Sequence, residues 1–304
     1  MSRNRKQKHS LIFQAQEKLE TKLAIGHSKQ EDKKQERLLL RKKKETNPKA
    51  KLTYEERITI HKIYSWGTFQ SYLKHGCYFV NWCCVNYNCK NLDECRQYVD
   101  EWLISRSELS AYTQKLEASA LAKLFDCTTE DFIPTKTRYR KDIVRSRTDA
   151  ARDKNFNLEK HADFIRFCKA TGLRKREIKF LRGNSLVYKN GLYYISVTKG
   201  GKGGRCRESL IISDVEYITD LMKKAGLQKV WSRVPDMDVH SYRADYCRSV
   251  YNMFARPTKS IPINERFHCR KDLKGICYDK RAMLITSRFL GHNRINIIAE
   301  HYLV

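Results

Sequence analysis

The stretch TGLRKRE, residues 171–177, is the segment from which the fold can be worked out. Its glycine, Gly172, marks a turn, and the residues that follow have the composition of a helix. This places Arg174 in the first turn of that helix and Glu177 three residues further on. The stretch therefore predicts a helix start at which a guanidinium and a carboxylate lie one turn apart.

Two later motifs combine a helix end with polar side chains in the same way. The stretch HSYR at residues 240–243 begins a helix and places a histidine three residues before an arginine. The stretch LGH at residues 290–292 ends another helix, and Tyr302 follows its histidine by ten residues. Each motif is weak alone in a chain so rich in arginine, so the information lies in their occurring together in this order.

The segments between these motifs predict the rest of the second half. Residues 185–197 (SLVYKNGLYYISV) hold two β-favouring runs around Lys189-Asn190-Gly191, a hairpin-type turn. A further strand is predicted over 205–212, after the glycine-rich stretch 199–204. Helices are predicted at 158–171, 174–181, 215–225, 242–255 and 282–290. The second half is therefore expected to be helical, with a small antiparallel sheet on one edge.

The first half of the chain divides into three segments that differ in charge and in apolar periodicity. Residues 1–50 carry 15 Lys and Arg against 6 Asp and Glu, which predicts a basic N-terminal arm, helical or flexible. Over 51–135 apolar residues recur at spacings of three and four, which predicts a domain of short helices. The basic stretch 136–156 loses that periodicity and is interpreted as a linker. The second domain is then expected over 157–304.

The charge of the chain indicates its class of partner. Lys and Arg number 61 against 34 Asp and Glu, which gives a formal net charge of +27. Such an excess opposes compaction by self-repulsion unless a polyanion is a regular partner. Hydrophobic residues at 41% exclude a wholly disordered chain. Nucleic acid is therefore the first partner to consider.

The apolar segments and the cysteines argue against a secreted, membrane-spanning or zinc-binding protein. No stretch has the length or apolarity of a signal peptide or a membrane span, so we expect a cytosolic protein without a membrane partner. The eleven cysteines are then interpreted as reduced thiols. A zinc site could be sought at Cys83, Cys84, Cys89 and Cys95 with His75. However, no C-x-x-C pair occurs among them and the surrounding residues are apolar, so buried thiols and no metal are predicted.

The motifs T-G-L-R-x-x-E, H-x-x-R and L-G-H, followed by a late tyrosine, resemble the catalytic domain of the tyrosine recombinases, or phage-type integrases. The first half, with YLKHG at 72–76 and SAYTQKLEASALAKLF at 110–125, resembles the helical, SAM-like core-binding domain of that family. Residues 278–295 and 301–303 are similar in particular to integrases of phages and conjugative transposons of low-GC bacteria. The resemblance implies a two-domain fold, mainly α with a small antiparallel β-sheet, in which a mixed α/β catalytic domain follows the core-binding domain.

The resemblance also implies a function and partners. Such a protein is a site-specific recombinase that cleaves and rejoins DNA through a 3′-phosphotyrosine intermediate, and so integrates or excises a mobile element in the cytoplasm of a bacterial host. Its partners would be double-stranded DNA attachment sites, three further copies of itself on DNA, and an accessory directionality factor. The basic faces of 51–156 and the N-terminal arm would hold the DNA, and no cofactor is expected.

The resemblance assigns a role to each motif residue, and the chemistry agrees with it. Cleavage of DNA without a metal requires fixed cations around the transition-state phosphorus, which Arg174 and Arg243 would supply. Tyr302 would be the nucleophile, because a phenol can attack phosphorus where cations favour its phenolate. Lys199 in the β-turn would protonate the leaving 5′-hydroxyl, with Lys202 as the alternative.

The remaining assignments concern two histidines and a carboxylate. His240 would act as acid and base near the attacking tyrosine, and His292 would donate a hydrogen bond to a nonbridging phosphate oxygen. Glu177 would orient the helix or an arginine. Three features depart from the family pattern: Ser209 replaces a frequent proline, the spacing from His292 to Tyr302 is one residue longer than usual, and only two residues follow that tyrosine.

Two other functions remain open at this stage. The same set of Arg, Lys, Arg, His and Tyr also serves type IB topoisomerases, which relax supercoiled DNA without a particular sequence. A degenerate relative that binds DNA without cutting it would also keep the fold. The sequence therefore predicts a DNA-binding protein, and its motifs favour a recombinase among these three.

Overall fold

The computed structural model of the chain describes residues 10–139, 142, 156–201, 206–292 and 294–303. Contacts divide the chain into two compact units, residues 1–138 and 139–304. The division lies inside the stretch interpreted as a linker, most of which is outside the described residues. The first unit has one hydrophobic core, and the second unit has two buried apolar clusters.

All the secondary-structure elements named for the described part of the first unit are helices. Its helices are α1 (Leu11–Glu20), α2 (Lys29–Thr46), α3 (Ile58–His61), α4 (Trp66–Tyr87), α5 (Leu92–Arg96), α6 (Val99–Ser105) and α7 (Ala111–Leu124). Helix α4 is the longest, and α1 and α7 both pack against it. Its buried face includes Gly76, Phe79, Val80 and Cys83, which recur at the predicted spacings of three and four residues.

Residues 10–50 do not form an arm separate from the rest of the first unit. Leu11, Ala15 and Leu19 are spaced by four residues, and all three are buried in the core of the first unit. The chain after α1 also joins this core, because Leu23 and Ile63 form a β-bridge and Ile63 is 1% exposed. The domain boundary expected at residue 50 is therefore not a boundary between compact units. These three apolar positions, one on each turn, place α1 against the core.

Three of the six cysteines of the first unit are buried, whereas Cys84, which was predicted to be buried with them, is exposed. Cys83 and Cys95 are fully buried, Cys89 is nearly so, and all eleven cysteines of the chain are free thiols. Nδ1 of His75 lies 3.3 Å from the carboxylate of Glu117. Within the described ranges, no group of three or more His, Cys, Asp or Glu side chains has a geometry that could hold a metal ion.

The second unit combines helices with two small antiparallel sheets. Its elements are α8 (Ala162–Thr171), α9 (Lys175–Phe180), β1 (Leu186–Lys189), β2 (Leu192–Val197), β3 (Arg207–Leu210), α10 (Val215–Ala225), α11 (Val239–Phe254), β4 (Arg266–His268), β5 (Cys277–Asp279), α12 (Lys280–Leu290), α13 (Asn296–Ile298) and a π-helix over Ala299–Leu303, with single 3-10 turns between them. The prediction of a mainly α fold with a small antiparallel sheet is confirmed.

The three-stranded sheet has the order β1-β2-β3, and both pairs are antiparallel. The predicted hairpin is present: Lys189 pairs with Leu192, and the two residues between them, Asn190 and Gly191, have φ of 51° and 76°. Positive φ at both central positions is the geometry that asparagine and glycine favour in such turns. The two-stranded sheet of β4 and β5 was not predicted, because strands of three residues are too short to show a periodicity.

Helix α11 runs through the core of the second unit. Its buried side includes Arg243, Ala244, Tyr246, Cys247 and Val250. It packs against α8, α12 and the π-helix, so the three sequence motifs converge on one helix. No described helix of either unit is both long and apolar enough to span a lipid bilayer.

Candidate active site

Arg174 and Glu177 together begin helix α9. Arg174 is the residue before the first helical turn, and Oε2 of Glu177 accepts a hydrogen bond from its backbone N–H at 2.7 Å. Oε1 of Glu177 accepts a second bond, from Nη1 of Arg174, also at 2.7 Å. The carboxylate is 1% exposed, so it is held almost wholly by its arginine partners. Glu177 therefore caps the helix and binds the guanidinium of Arg174.

Arg243 of helix α11 is fully buried and contacts a residue from each of the other motifs: Gly172, Leu290 and Tyr302. Its guanidinium donates to the backbone carbonyls of Gly172 and Leu290. Nη2 of Arg174 donates to the same Leu290 carbonyl at 3.1 Å. That carbonyl belongs to the last turn of α12, where unpaired carbonyls carry partial negative charge. The end of one helix therefore holds both guanidiniums in one place.

Gly172 must be a glycine for this arrangement to form. Its φ is +59°, and a Cβ at this position would lie 2.2 Å from the ring of Tyr246. The ring lies beneath the turn with its hydroxyl bonded to the carbonyl of Leu210. Ser209, which replaces the frequent proline, is also buried here and donates to the carbonyl of Thr171 at 2.7 Å. The departure at Ser209 thus adds a hydrogen bond between β3 and α8.

Tyr302 lies in the π-helix with its hydroxyl against the motif residues. Tyr302 is 2% exposed. Its hydroxyl oxygen lies 3.4 Å from Nε of Arg243 and 3.3 Å from Nε2 of His292. The rings of His240 and His292 have their centroids 5.6 Å and 5.7 Å from that of the tyrosine. One phenol is thus surrounded by a guanidinium and two imidazoles. A π-helical turn is a rare element that is often found at functional sites.

The electrostatics of the cluster keep His292 neutral. Its burial, together with the cations Arg243, Arg174 and Arg207, lowers the pKa of the imidazole to about 3. A neutral ring has one N–H donor and one bare acceptor nitrogen. His292 can therefore either accept a hydrogen bond from the tyrosine hydroxyl or donate one to an oxygen, depending on its tautomer.

The neutral state of His292 predicts how stability depends on pH. Above pH 6.5, the usual pKa of histidine and that of His292 in the unfolded chain, the imidazole is neutral in both the folded and the unfolded state. Between about pH 6.5 and 3, His292 binds a proton in the unfolded chain but stays neutral in the folded chain. The free energy of unfolding should therefore fall with decreasing pH in that window, by at most about 1.4 kcal/mol per pH unit from this group. Denaturant unfolding of the wild type and of His292→Asn from pH 7.5 to 4.5 measures the difference. Equal slopes for the two proteins would contradict it.

Lys199 lies on an exposed turn that packs on the start of α9. Gly200 has φ of +80°, and a Cβ there would come within 2.7 Å of the Arg176 carbonyl oxygen and 3.0 Å of the Glu177 Cα. The Lys199 side chain is exposed, and within the described part of the chain its ammonium has no hydrogen bond or ion pair. The alternative, Lys202, lies outside the described residues. The structure thus places Lys199 beside the Arg174 helix without joining it to the cluster.

Sequence reasoning missed one residue of this site, Arg207. It begins strand β3, its side chain is 5% exposed, and Nη2 donates to Oε2 of Glu177 at 2.6 Å. Glu177 therefore has two arginine partners rather than one. In the sequence, Arg207 follows the glycine-rich turn in the run RCRE and has no feature that separates it from an exposed arginine.

Comparison with models of known families and with curated proteins gives no match. Among solved structures, the chain is similar to a site-specific recombinase and to a transposon integrase. One is the XerH recombinase bound to its difH substrate, with 14% identity over 95% of this chain and 90% of that chain and a TM-score of 0.49. Another is the Tn1549 transposon integrase in complex with circular intermediate DNA, with 13% identity over 87% of this chain and 94% of that chain and a TM-score of 0.42.

Proposed function

We propose that this chain is a site-specific DNA recombinase that cleaves and rejoins DNA through a tyrosine. The observation that carries the proposal is the position of the Tyr302 hydroxyl, 3.4 Å from Nε of Arg243 and 3.3 Å from Nε2 of His292. A phenol next to a buried guanidinium has a group to stabilise its phenolate, and the adjoining ring of His240 would take its proton. The guanidinium of Arg174 is close by, because it donates to the same Leu290 carbonyl as Arg243.

The reaction is an exchange of one phosphodiester for another. The Tyr302 oxygen forms a bond to the DNA phosphorus as the bond from phosphorus to the 5′-oxygen breaks, and the phenolic proton passes to a histidine. The leaving 5′-oxygen takes a proton from the general acid and becomes a free hydroxyl. The resulting 3′-phosphotyrosine keeps the phosphodiester, so attack by another 5′-hydroxyl reverses the step on the same or a different strand.

The arginines would stabilise the charge that develops on the nonbridging oxygens. Arg243 and Arg174 are held in place by carbonyls and a carboxylate, so the arginines are ordered in advance. Their ordering is complete before the reaction begins, which is the condition under which such donors are most effective. Because Arg243 and Tyr302 are buried, the phosphate would reach Arg243 only if Tyr302 moves aside.

Three further residues complete the proposed mechanism. His240 would exchange protons with Tyr302, whose ring it adjoins, and His292 would bond a nonbridging oxygen or the tyrosine hydroxyl. Lys199 would protonate the 5′-oxygen from the turn beside α9. Because that turn is exposed and its ammonium is not fixed by the cluster, we propose that it reaches the leaving group by moving.

The first unit has a surface suited to the DNA backbone. A cavity of about 730 Å³ opens between α2, the segment around α3, and α7. The carboxylates of Glu36 and Glu130 line it together with six cationic side chains: Lys29, Lys33, Arg37, Arg57, Lys62 and Lys123. Of these, Lys62 is paired with Asp32, and Lys123 donates to the carbonyls of Ile60 and Lys62. Hydroxyls of Thr59, Ser65 and Thr68 lie among them. Cations interspersed with small donors are the groups that proteins use against phosphates, which supports DNA as the ligand of this unit.

This cavity predicts a change in salt dependence. The double variant Lys33→Glu/Arg37→Glu should weaken duplex binding at least about 10-fold and lower the slope of log Kd against log salt by about 2. Fluorescence anisotropy on a labelled duplex between 50 and 300 mM salt measures both quantities. Lys90→Glu, on the same unit but outside the cavity, is the matched control and should leave the slope nearly unchanged. The same slope in wild type and double variant would contradict the assignment.

We also propose how the protein assembles and on which DNA it acts. Exchange between two DNA sites requires the cleavage of four strands, so we propose that four copies assemble on two double-stranded attachment sites. We propose further that the DNA belongs to a mobile element, that an accessory protein sets the direction, and that the reaction takes place in the cytoplasm of a bacterial host.

The experiment that tests the function is covalent capture. The protein is incubated with a pool of nicked duplexes of randomised sequence, in which cleavage releases a short fragment and traps the enzyme on the DNA. Complexes that survive SDS are recovered and sequenced, and a recombinase should enrich one sequence. Equal capture of all sequences with relaxation of supercoiled plasmid would instead indicate a topoisomerase. Tight duplex binding with no covalent complex would contradict cleavage. The enriched duplex also allows the number of bound copies to be measured, with four expected on a pair of sites.

A further inference from the structure

Arg207 is an arginine that the proposed mechanism does not yet use. It lies at the start of β3, opposite Val197 of β2, and only 5% of its side chain is exposed. Its aliphatic part lies against the turn that ends α12, since a Cβ at Gly291 would be 2.5 Å from its Cδ and 2.9 Å from its Nε. The side chain thus lies between the Arg174 helix and the turn that carries His292.

The hydrogen bonding of Arg207 is incomplete. Its Nη2 donates to Glu177, but its Nε and Nη1 are buried and have no partner among the residues that the structure describes. A buried guanidinium is costly, and a buried donor without a partner adds to that cost. Burial, before any other influence, also lowers the pKa of Arg207 to about 10. An apolar side chain would fill this place at lower cost to the fold, so packing alone does not account for an arginine here.

Glu177 shows what the second guanidinium does. Its Oε1 accepts from Nη1 of Arg174, and its Oε2 is shared between the Arg174 backbone and Arg207. With Arg174 as its only ion partner, the buried carboxylate would neutralise an arginine that the reaction needs as a cation. With Arg207 added, the three groups carry a net positive charge, and both carboxylate oxygens are fixed.

We propose that Arg207 is a positioning residue for DNA cleavage: it fixes the Glu177 carboxylate, thereby orients Arg174, and restores the positive charge that this carboxylate removes from the site. The inference rests on the proposed function. It assigns Arg207 no contact with DNA, so its replacement should slow cleavage and leave duplex binding nearly intact. It also predicts that the effect of Arg207 passes through Glu177.

The test compares Arg207→Met, Arg207→Lys and Glu177→Gln, with the double variants, on the duplex enriched by covalent capture. Arg207→Met should form the covalent complex about 10- to 100-fold more slowly, with a duplex Kd within about threefold of wild type. Arg207→Lys should recover part of the rate. In the Glu177→Gln background, Arg207→Met should have little further effect. Arg166→Met, which removes a half-exposed arginine paired with Asp214 in the same unit, is the control and should keep the wild-type rate.

Other outcomes would overturn the inference. A wild-type rate in Arg207→Met would do so, as would multiplicative effects of the Arg207 and Glu177 substitutions. A parallel loss of rate, duplex binding and thermal stability in both Arg207 variants would show a structural role only.

A second readout does not depend on activity. Arg207 is one of the cations facing His292, together with Arg243, Arg174 and the nearby His240. Removal of its charge should therefore make His292 titrate at a higher pH, which NMR of the imidazole carbons in Arg207→Met and Arg166→Met can measure. If the wild type forms no covalent complex but this shift is present, the proposed function fails and the electrostatic role of Arg207 stands. If the shift is absent, the placement of Arg207 is wrong.

Discussion

The variant Tyr302→Phe should form no covalent complex with DNA. The substitution removes one oxygen from a ring that is 2% exposed and keeps the ring itself, so the core around it is preserved. Only the hydroxyl that contacts Arg243 and His292 is lost. Without a nucleophile the rate of complex formation should fall by about a thousandfold or more, while duplex binding stays close to wild type. Denaturing gels on a labelled nicked duplex measure the first quantity, and anisotropy measures the second.

A matched substitution distinguishes this loss from general damage to a buried tyrosine. Tyr251→Phe removes the hydroxyl of a half-buried tyrosine that packs against the same core and accepts a bond from the Asp279 backbone at 3.0 Å. It should lower stability by about 1 kcal/mol and leave complex formation nearly unchanged. Wild-type amounts of complex from Tyr302→Phe would show that another residue attacks the DNA.

The second large effect should come from Arg243, the only fully buried arginine of the described residues. In Arg243→Lys the positive charge remains, but one ammonium cannot reproduce the planar fork that reaches the Gly172 and Leu290 carbonyls and the Tyr302 hydroxyl. We expect complex formation to fall about 100- to 1000-fold, as for the loss of one fixed transition-state donor. The free energy of unfolding should also fall, by about 1–3 kcal/mol, because a buried carbonyl loses its donor.

The control for Arg243 is an arginine that also bonds a carbonyl but lies at the surface. Arg182 donates to the Leu227 carbonyl from an exposed position in the same unit. Arg182→Lys should change the cleavage rate and stability little. If Arg243→Lys cleaves as fast as Arg182→Lys, the guanidinium fork at position 243 is not needed for the reaction.

Much of the fold could be predicted from the sequence because its signals are local. The Asn190-Gly191 turn determined the hairpin of β1 and β2, and helical periodicity located α8, α10, α11 and α12 to within a few residues. The packing of the N-terminal helices was harder to predict, because the whole segment 1–50 is strongly basic and α1 is anchored by the distant helix α4. A local pattern does not show a partner that lies fifty residues away.

The motif residues of the candidate site could be named from the sequence, but the groups that hold them in place could not. Arg174, Arg243, His292 and Tyr302 were named from the sequence, and the structure brings them together, with Glu177 as the orienting carboxylate. The roles assigned to them remain proposals. Arg207 and the shared Leu290 carbonyl could not be found in this way, because one looks like any other arginine and the other is a backbone group at a helix end. Both depend on which elements pack together.

The most direct test of the account is to identify the residue that becomes joined to DNA. The covalent complex on the enriched nicked duplex is digested with protease and nuclease, and the peptide that carries a nucleotide is sequenced by mass spectrometry. We predict a nucleotide attached through its 3′-phosphate to Tyr302, in the peptide that follows Arg294. A nucleotide on any other residue, or a link through a 5′-phosphate, would contradict the arrangement of arginines, histidines and tyrosine proposed for this site.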